Sequence, residues 1–240
     1  MQNTKSTVRD KFNQDCQQCQ IQHKWIALAG PLLILGVLAV FLLIPVTTKG
    51  TQWLLGENHP IELLTFVFAL WAAFRSFKLS RREPIKKNRI LSAFYLLFAL
   101  LFFFFAMEEI SWGQQFLKFS TPEFWRVRNV QDELTLHNYD FIGKDYLEIY
   151  PLIVGLVGLA GIWANWTGKF PKLFCPPLVL FSWFAAIVAH SSIDLFHDFY
   201  IFNTVFDDLI NYLDEAVEML VAMSGLLFVY FNARRLSPKL

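Results

Sequence analysis

The chain has 240 residues, of which 55% are hydrophobic, 17% aromatic and only 17% charged, and its net charge is +1, whereas a soluble domain carries about 25% charged residues. That balance excludes a disordered chain and an ordinary soluble enzyme, and the near-zero charge provides no field for collecting nucleic acid. A mean hydropathy of +0.39 points to an all-α, polytopic membrane bundle, because each crossing of a hydrocarbon core of about 30 Å takes about 20 apolar helical residues.

In chain order, residues 1–24 are a polar, Gln-rich lead, expected as a disordered tail. Within it Cys16-Gln-Gln-Cys19 and His23 have metal-like spacing but lack a second Cys/His pair, so they form no zinc motif. The apolar runs 25–46, 61–77, 90–110, 147–163, 173–192 and 213–233 predict six transmembrane helices inside a single domain, 25–235, followed by a short tail, 236–240. The first run exceeds the roughly 7–15 apolar residues of a signal peptide and is read as a retained helix. In the fourth, Gly155, Gly158 and Gly161 recur at i, i+3 and i+6 and allow another helix to approach closely. Phe102 to Phe105 predict lipid-facing or helix-packing surface.

Basic residues resist translocation. With the amino terminus inside, 16 of the 21 Lys and Arg fall in inner segments, which places both termini in the cytoplasm and suits a bacterial inner membrane. The same topology puts 17 of the 20 acidic residues on the outer side. Four of the five His follow them: His59, His137, His190 and His197. Positive-inside sorting does not require this, since it acts weakly on Asp and Glu.

At about 1.5 Å per residue from each basic helix end, Glu108, Glu109, His190, Asp194, Asp214 and Glu215 reach one level near the outer boundary, with Glu62 and Glu148 at a similar height. Glu218 lies one turn deeper. Ionisable groups there cost of order 2–3 kcal/mol unless paired, hydrated or metal-bound, so a shared polar cavity is expected. His190, Asp194 and His197 at i, i+4 and i+7 form one helical stripe, and Asp207, Asn211, Asp214 and Glu218 another. For Asp207, Asp208 and Glu62 the plainer reading is helix capping.

The loop 111–146 is long for a connector. Ser120-Thr121-Pro122-Glu123, followed by Phe124 and Trp125, predicts a short interfacial helix covering the cavity mouth. Further along the loop, after Asp132 and Glu133, His137 is placed to fold back over Glu108 and Glu109.

Imidazoles with carboxylates suit zinc or another divalent cation, which lowers the pKa of a bound water to about 7. The candidate metal ligands are His137, His190, Asp194 and His197; Glu108 or Glu109 would be the base or a further ligand, and His137 and Asp194 would assist catalysis. Ser111, Asp214, Glu215 and Glu218 extend the polar site. The implied function is a membrane-embedded hydrolase or related group-transfer enzyme acting on a lipid, lipid-linked or peptide substrate. A cation transporter with an acidic vestibule and an assembly subunit with a protein partner are the alternatives.

Glu108-Glu109-Ile-Ser111-Trp112-Gly113-Gln114, with Asn129-Val-Gln131-Asp-Glu133-Leu-Thr-Leu-His137-Asn138, resembles a pattern in a family of uncharacterised bacterial multi-pass membrane proteins. In order, Glu108-Glu109, His137 and His190-Ser-Ser-Ile-Asp194 also resemble the motifs of CAAX-type intramembrane glutamate proteases, with Gly113 at that family's Arg position and Glu133 at its Phe position. This second resemblance implies a glutamate-activated water, oriented by His137, His190 and Asp194.

Overall fold

A computed structural model describes residues 7–55, 59–127, 134–135, 149–197 and 204–236, without the side chains of residues 115, 197 and 204–208. The described residues are helical, with no strand among them. The helices are α1 (Val8–Gln18), α2 (Lys24–Leu43), the short α3 (Thr48–Leu54), α4 (Pro60–Ser80), α5 (Arg89–Glu109), two single turns α6 (Gln114–Leu117) and α7 (Glu123–Arg126), α8 (Tyr150–Thr167), α9 (Phe181–His197) and α10 (Thr204–Arg235). Six segments are long and apolar enough to cross a membrane: Lys24–Leu43, Pro60–Ser80, Arg89–Glu109, Tyr150–Thr167, Lys172–Phe196 and Leu209–Arg235. The chain is accordingly a multi-pass membrane protein.

Burial sorts these spans. Of the apolar window in α10, 67% is buried, against 11% in α2. α10 is therefore the central post, packed on α4, α9, α2 and α8, with α5 paired to α4. The outer helices keep Leu97, Leu100 and Leu101 of α5, and Leu32 and Val37 of α2, exposed where lipid tails would replace protein neighbours.

Small residues set the closest approaches. A Cβ on Gly158 would enter the Phe184 ring, and one on Gly155 would come 2.6 Å from Val188 Cγ2, so the α8 glycine row is the seat of α9. Gly225 of α10 likewise receives the Phe102 ring, which also stacks on Phe98 with centroids 4.6 Å apart. Between α4 and α5, Ser76 Oγ donates to the Tyr95 carbonyl at 2.7 Å and Ser92 Oγ to the Ser80 carbonyl at 3.0 Å.

The amino-terminal segment departs from the expected tail. α1 begins with a capping box, in which Thr7 N donates to Asp10 Oδ2 at 3.0 Å and Asp10 N to Thr7 Oγ1 at 3.3 Å. The Thr7 hydroxyl, which donates to Asp10 Oδ2 at 2.6 Å, and then the Thr7 N–H hold the Asp10 carboxyl below its usual range. The helix lies across the end of the bundle, because one of its faces carries Phe12, Asp15, Cys16 and then Cys19 toward the core. Asp15 and Arg235, each 5% exposed, form an ion pair at 2.5 Å. Asp15 Oδ2 accepts from Leu178 N at 2.6 Å, while Arg235 donates to the carbonyls of Lys172 and Cys175 at 2.7 and 3.0 Å and to Asn232 Oδ1 at 2.7 Å. Burial pushes the Cys16 thiol up to about 11 and the Cys19 thiol up to about 12. Both described ends of the chain thus meet at one end of the bundle, where Lys24, Lys78, Arg89, Lys172 and Arg234 also close their helices; we call it the basic end.

Candidate functional site at the acidic end

At the opposite end α5 stops abruptly. Ser111, Trp112 and Gly113 have φ of 47°, 54° and 85°, three left-handed residues in succession. For the two that are not glycine this costs of order 1–2 kcal/mol each. The turn folds Trp112 back over the last turn of α5. Its Nε1 donates to Glu108 Oε1 at 2.6 Å and its ring meets Phe104 edge-on at 5.5 Å. Gln114 then ties the following chain to this corner: its Nε2 donates to Thr121 Oγ1 at 2.8 Å and its Oε1 accepts from Leu134 N at 2.8 Å. Thr121 and Thr135 are buried beside it. The Glu-Glu-x-Ser-Trp-Gly-Gln run is thus a corner that fixes one glutamate and anchors two points of the loop.

Glu109 turns toward α10 and is 7% exposed. Among the described residues its strongest charged neighbour is Glu218, followed by Glu215, Glu62 and Glu108. Carboxylates from α4, α5 and α10 therefore share one low-dielectric region, where so much like charge calls for protons or a cation as counter-charge. From α8, the Tyr150 hydroxyl is buried and faces Glu218, with Glu109 and Glu215 nearby, without closing a hydrogen bond within 3.5 Å.

One turn along α10, Asp214 Oδ1 lies 3.5 Å from His190 Nδ1 of α9, and the Ile210 backbone lies beside the same ring. His190 is 7% exposed and, among the described residues, its Nε2 is buried without a hydrogen-bond partner. Pinning Nδ1 leaves Nε2 as the nitrogen on which a proton or ligand would act.

Of the expected site residues, Glu108, Glu109, Glu215 and Glu218 are brought together, and His190 and Asp214 form a pair along the same α10 stripe. Asp194 lies one turn beyond His190 on α9 and is half-buried. Ser111 is buried under the left-handed turn, 1% exposed. His137, Asp132, Glu133 and Glu148 lie outside the described residues, as do the side chains of His197, Asp207 and Asp208. Among the described residues no three His, Cys, Asp or Glu are grouped as a metal ion requires. The interfacial helix is a single turn, Glu123–Arg126, with Phe124 exposed. Tyr150 is the site residue that sequence reasoning missed: next to Pro151 at a helix start, it looks like any aromatic of a membrane-interface belt.

Compared with known proteins, the chain matches no family model, no curated protein and no solved structure.

Proposed function

We propose that the acidic end is the centre of a membrane-embedded hydrolase or related group-transfer enzyme, in which a carboxylate activates water or an acceptor hydroxyl. One observation carries this reading: the buried Glu109 has four other glutamates as charged neighbours, while among the described residues the polar tips of Tyr150 and His190 are buried without hydrogen-bond partners. Neighbouring carboxyls are able to supply a general acid and a general base side by side. Glu109 and Glu218 are the assigned pair, with Tyr150 donating to developing negative charge and Asp214 orienting His190. Zinc or another divalent cation would serve the same step by acidifying a bound water, with ligands drawn partly from the expected residues that lie outside the described ones. The position of Glu109 and Tyr150 at the ends of their spans suits a lipid, lipid-linked or peptide substrate. The basic-end charges favour a cytoplasmic location for both termini in a bacterial inner membrane, with this site facing outward.

The test is incubation of the purified protein in ¹⁸O-water with panels of lipids, lipid-linked sugars and membrane peptides, followed by mass spectrometry. Label is expected in a product of the wild type and not of Glu109→Gln or Glu218→Gln. The surplus of carboxylates around Glu109 favours a second reading, a cation vestibule for transport. Unlabelled products together with Glu109-dependent cation uptake into proteoliposomes would establish that reading in place of the enzyme.

A further inference from the structure

Away from the acidic end, a groove of about 300 Å³ opens between the α1–α2 elbow and the last turns of α10. Its floor is apolar, formed by Ile21, Ile26, Ala27 and Phe231, and its rim carries His23 and Arg234. The lining contains no acidic residue. Arg234 donates one N–H to the Gln20 carbonyl at 2.8 Å and its guanidinium lies 4.7 Å over the Tyr230 ring. A guanidinium has five N–H donors, so among the described residues most of this one's capacity remains for a ligand. His23 is exposed at the rim.

The height of the groove is set by the spans themselves. Lys24 begins the first apolar span and Arg234 lies at the end of the last, so the rim sits where headgroups begin and the floor where acyl chains begin. Beside it Trp25 and Ile26 are 67% and 68% exposed, apolar surface that belongs in lipid. A cationic rim above an apolar floor at the headgroup level fits one class of molecule, an amphiphile with an anionic head.

We propose that this groove binds an anionic phospholipid, its headgroup phosphate on Arg234 and His23 and one acyl chain along Ile26 and Phe231. Charge complementarity selects the anionic head over a zwitterionic one, because an ammonium group in the same headgroup would meet the guanidinium. This site is independent of the chemistry assigned to the acidic end.

Native mass spectrometry of the full chain, delipidated in detergent and titrated with phosphatidylglycerol or phosphatidylcholine, tests it. One phosphatidylglycerol is expected to be retained in preference to phosphatidylcholine. Arg234→Gln is expected to lower that retention about five-fold, the share of one surface arginine worth about 1 kcal/mol. Ile26→Trp, which keeps the charge and fills the groove, is expected to lower it as well, and it keeps the test open should Arg234→Gln fold poorly. Lys86→Gln, an exposed change elsewhere on the basic end, is expected to leave retention unchanged. Equal retention of the two lipids, an Arg234→Gln protein that binds like wild type, a loss in Lys86→Gln as large as in Arg234→Gln, full competition by inorganic phosphate, or a lipid-free dimer broken by Ile26→Trp would each overturn the proposal.

Discussion

At the basic end one carboxylate, Asp15, meets one guanidinium, Arg235, and backbone amides, carbonyls and side-chain amides take up most of their other lone pairs and protons, Arg235 Nε excepted. At the acidic end Glu109 meets Glu218, Glu215, Glu62 and Glu108, and two neighbouring polar tips are left unpartnered among the described residues. Both regions bury charge at the rim of the same bundle, with opposite balance. A charge-balanced pair with most of its hydrogen bonds made fastens α1, the α8–α9 connection and α10 together; an unbalanced group opposes folding and is tolerated where it has work to do. Neutralising one residue at each end should therefore move stability in opposite directions.

The largest effect is expected at the basic end. Arg235→Ala strands the buried Asp15 carboxylate and should cost about 3–5 kcal/mol, seen as a collapse of the melting temperature in lipid nanodiscs. The double change Asp15→Asn with Arg235→Met should recover much of it. If the single change melts like wild type, the ion pair is no fastener.

Packing between the two ends comes next. Gly158→Leu drives a side chain into Phe184, and Gly225→Leu does the same to Phe102. Each should cost about 1–3 kcal/mol in the same melts, since close-packed interfaces absorb extra carbon poorly. A neutral result would mean that α8 and α9 can slide apart.

Removing the indole donor that fixes Glu108, by Trp112→Phe, should cost about 1 kcal/mol while leaving the ring contact with Phe104 in place. Amide exchange at residues 111–114 reports it, and unchanged protection would show that the left-handed turn holds without that bond.

The smallest effect concerns the thiols. Burial holds Cys16 and Cys19 up to about 11 and about 12, so in the folded protein they stay protonated at pH 7–8 and should react slowly with iodoacetamide until denaturant is added. An unfolded thiol ionises near 9, so the neutral-thiol contribution is present below pH 9 and is lost between pH 9 and about 11–12. Docking of α1, followed by a fluorophore on residue 8, should weaken over that window. Rapid labelling at pH 7 would place α1 away from the bundle.

How much of this was legible depends on what kind of signal each part left. The six spans could be read directly, because hydrocarbon thickness imposes length and composition on every one of them. The level shared by Glu109 and Glu215, with Glu218 one turn deeper, was also readable, since rise per residue fixes depth along a helix. What depth does not supply is azimuth: it brought His190 level with Asp194, but the partner the bundle gives it is Asp214 on the next helix. The docking of α1 was hidden by composition. Its polar average concealed a stripe of Phe12, Cys16 and Cys19, and the residue that locks it, Asp15, finds its partner 220 positions away. The corner at Ser111 to Gly113 left only a Gly beside a Trp, too little to announce two non-glycine residues in the left-handed region.

The most direct test of the contrast between the two ends is the melting temperature of Glu109→Gln beside wild type, in the same nanodiscs with EDTA at neutral pH. Replacing that carboxyl with an isosteric amide relieves like-charge pressure and should raise the melting temperature by about 2–4 °C, some 1 kcal/mol for a chain of this size. A fall of similar or greater size would contradict the account, because it would mean that Glu109 stabilises the bundle as Asp15 does.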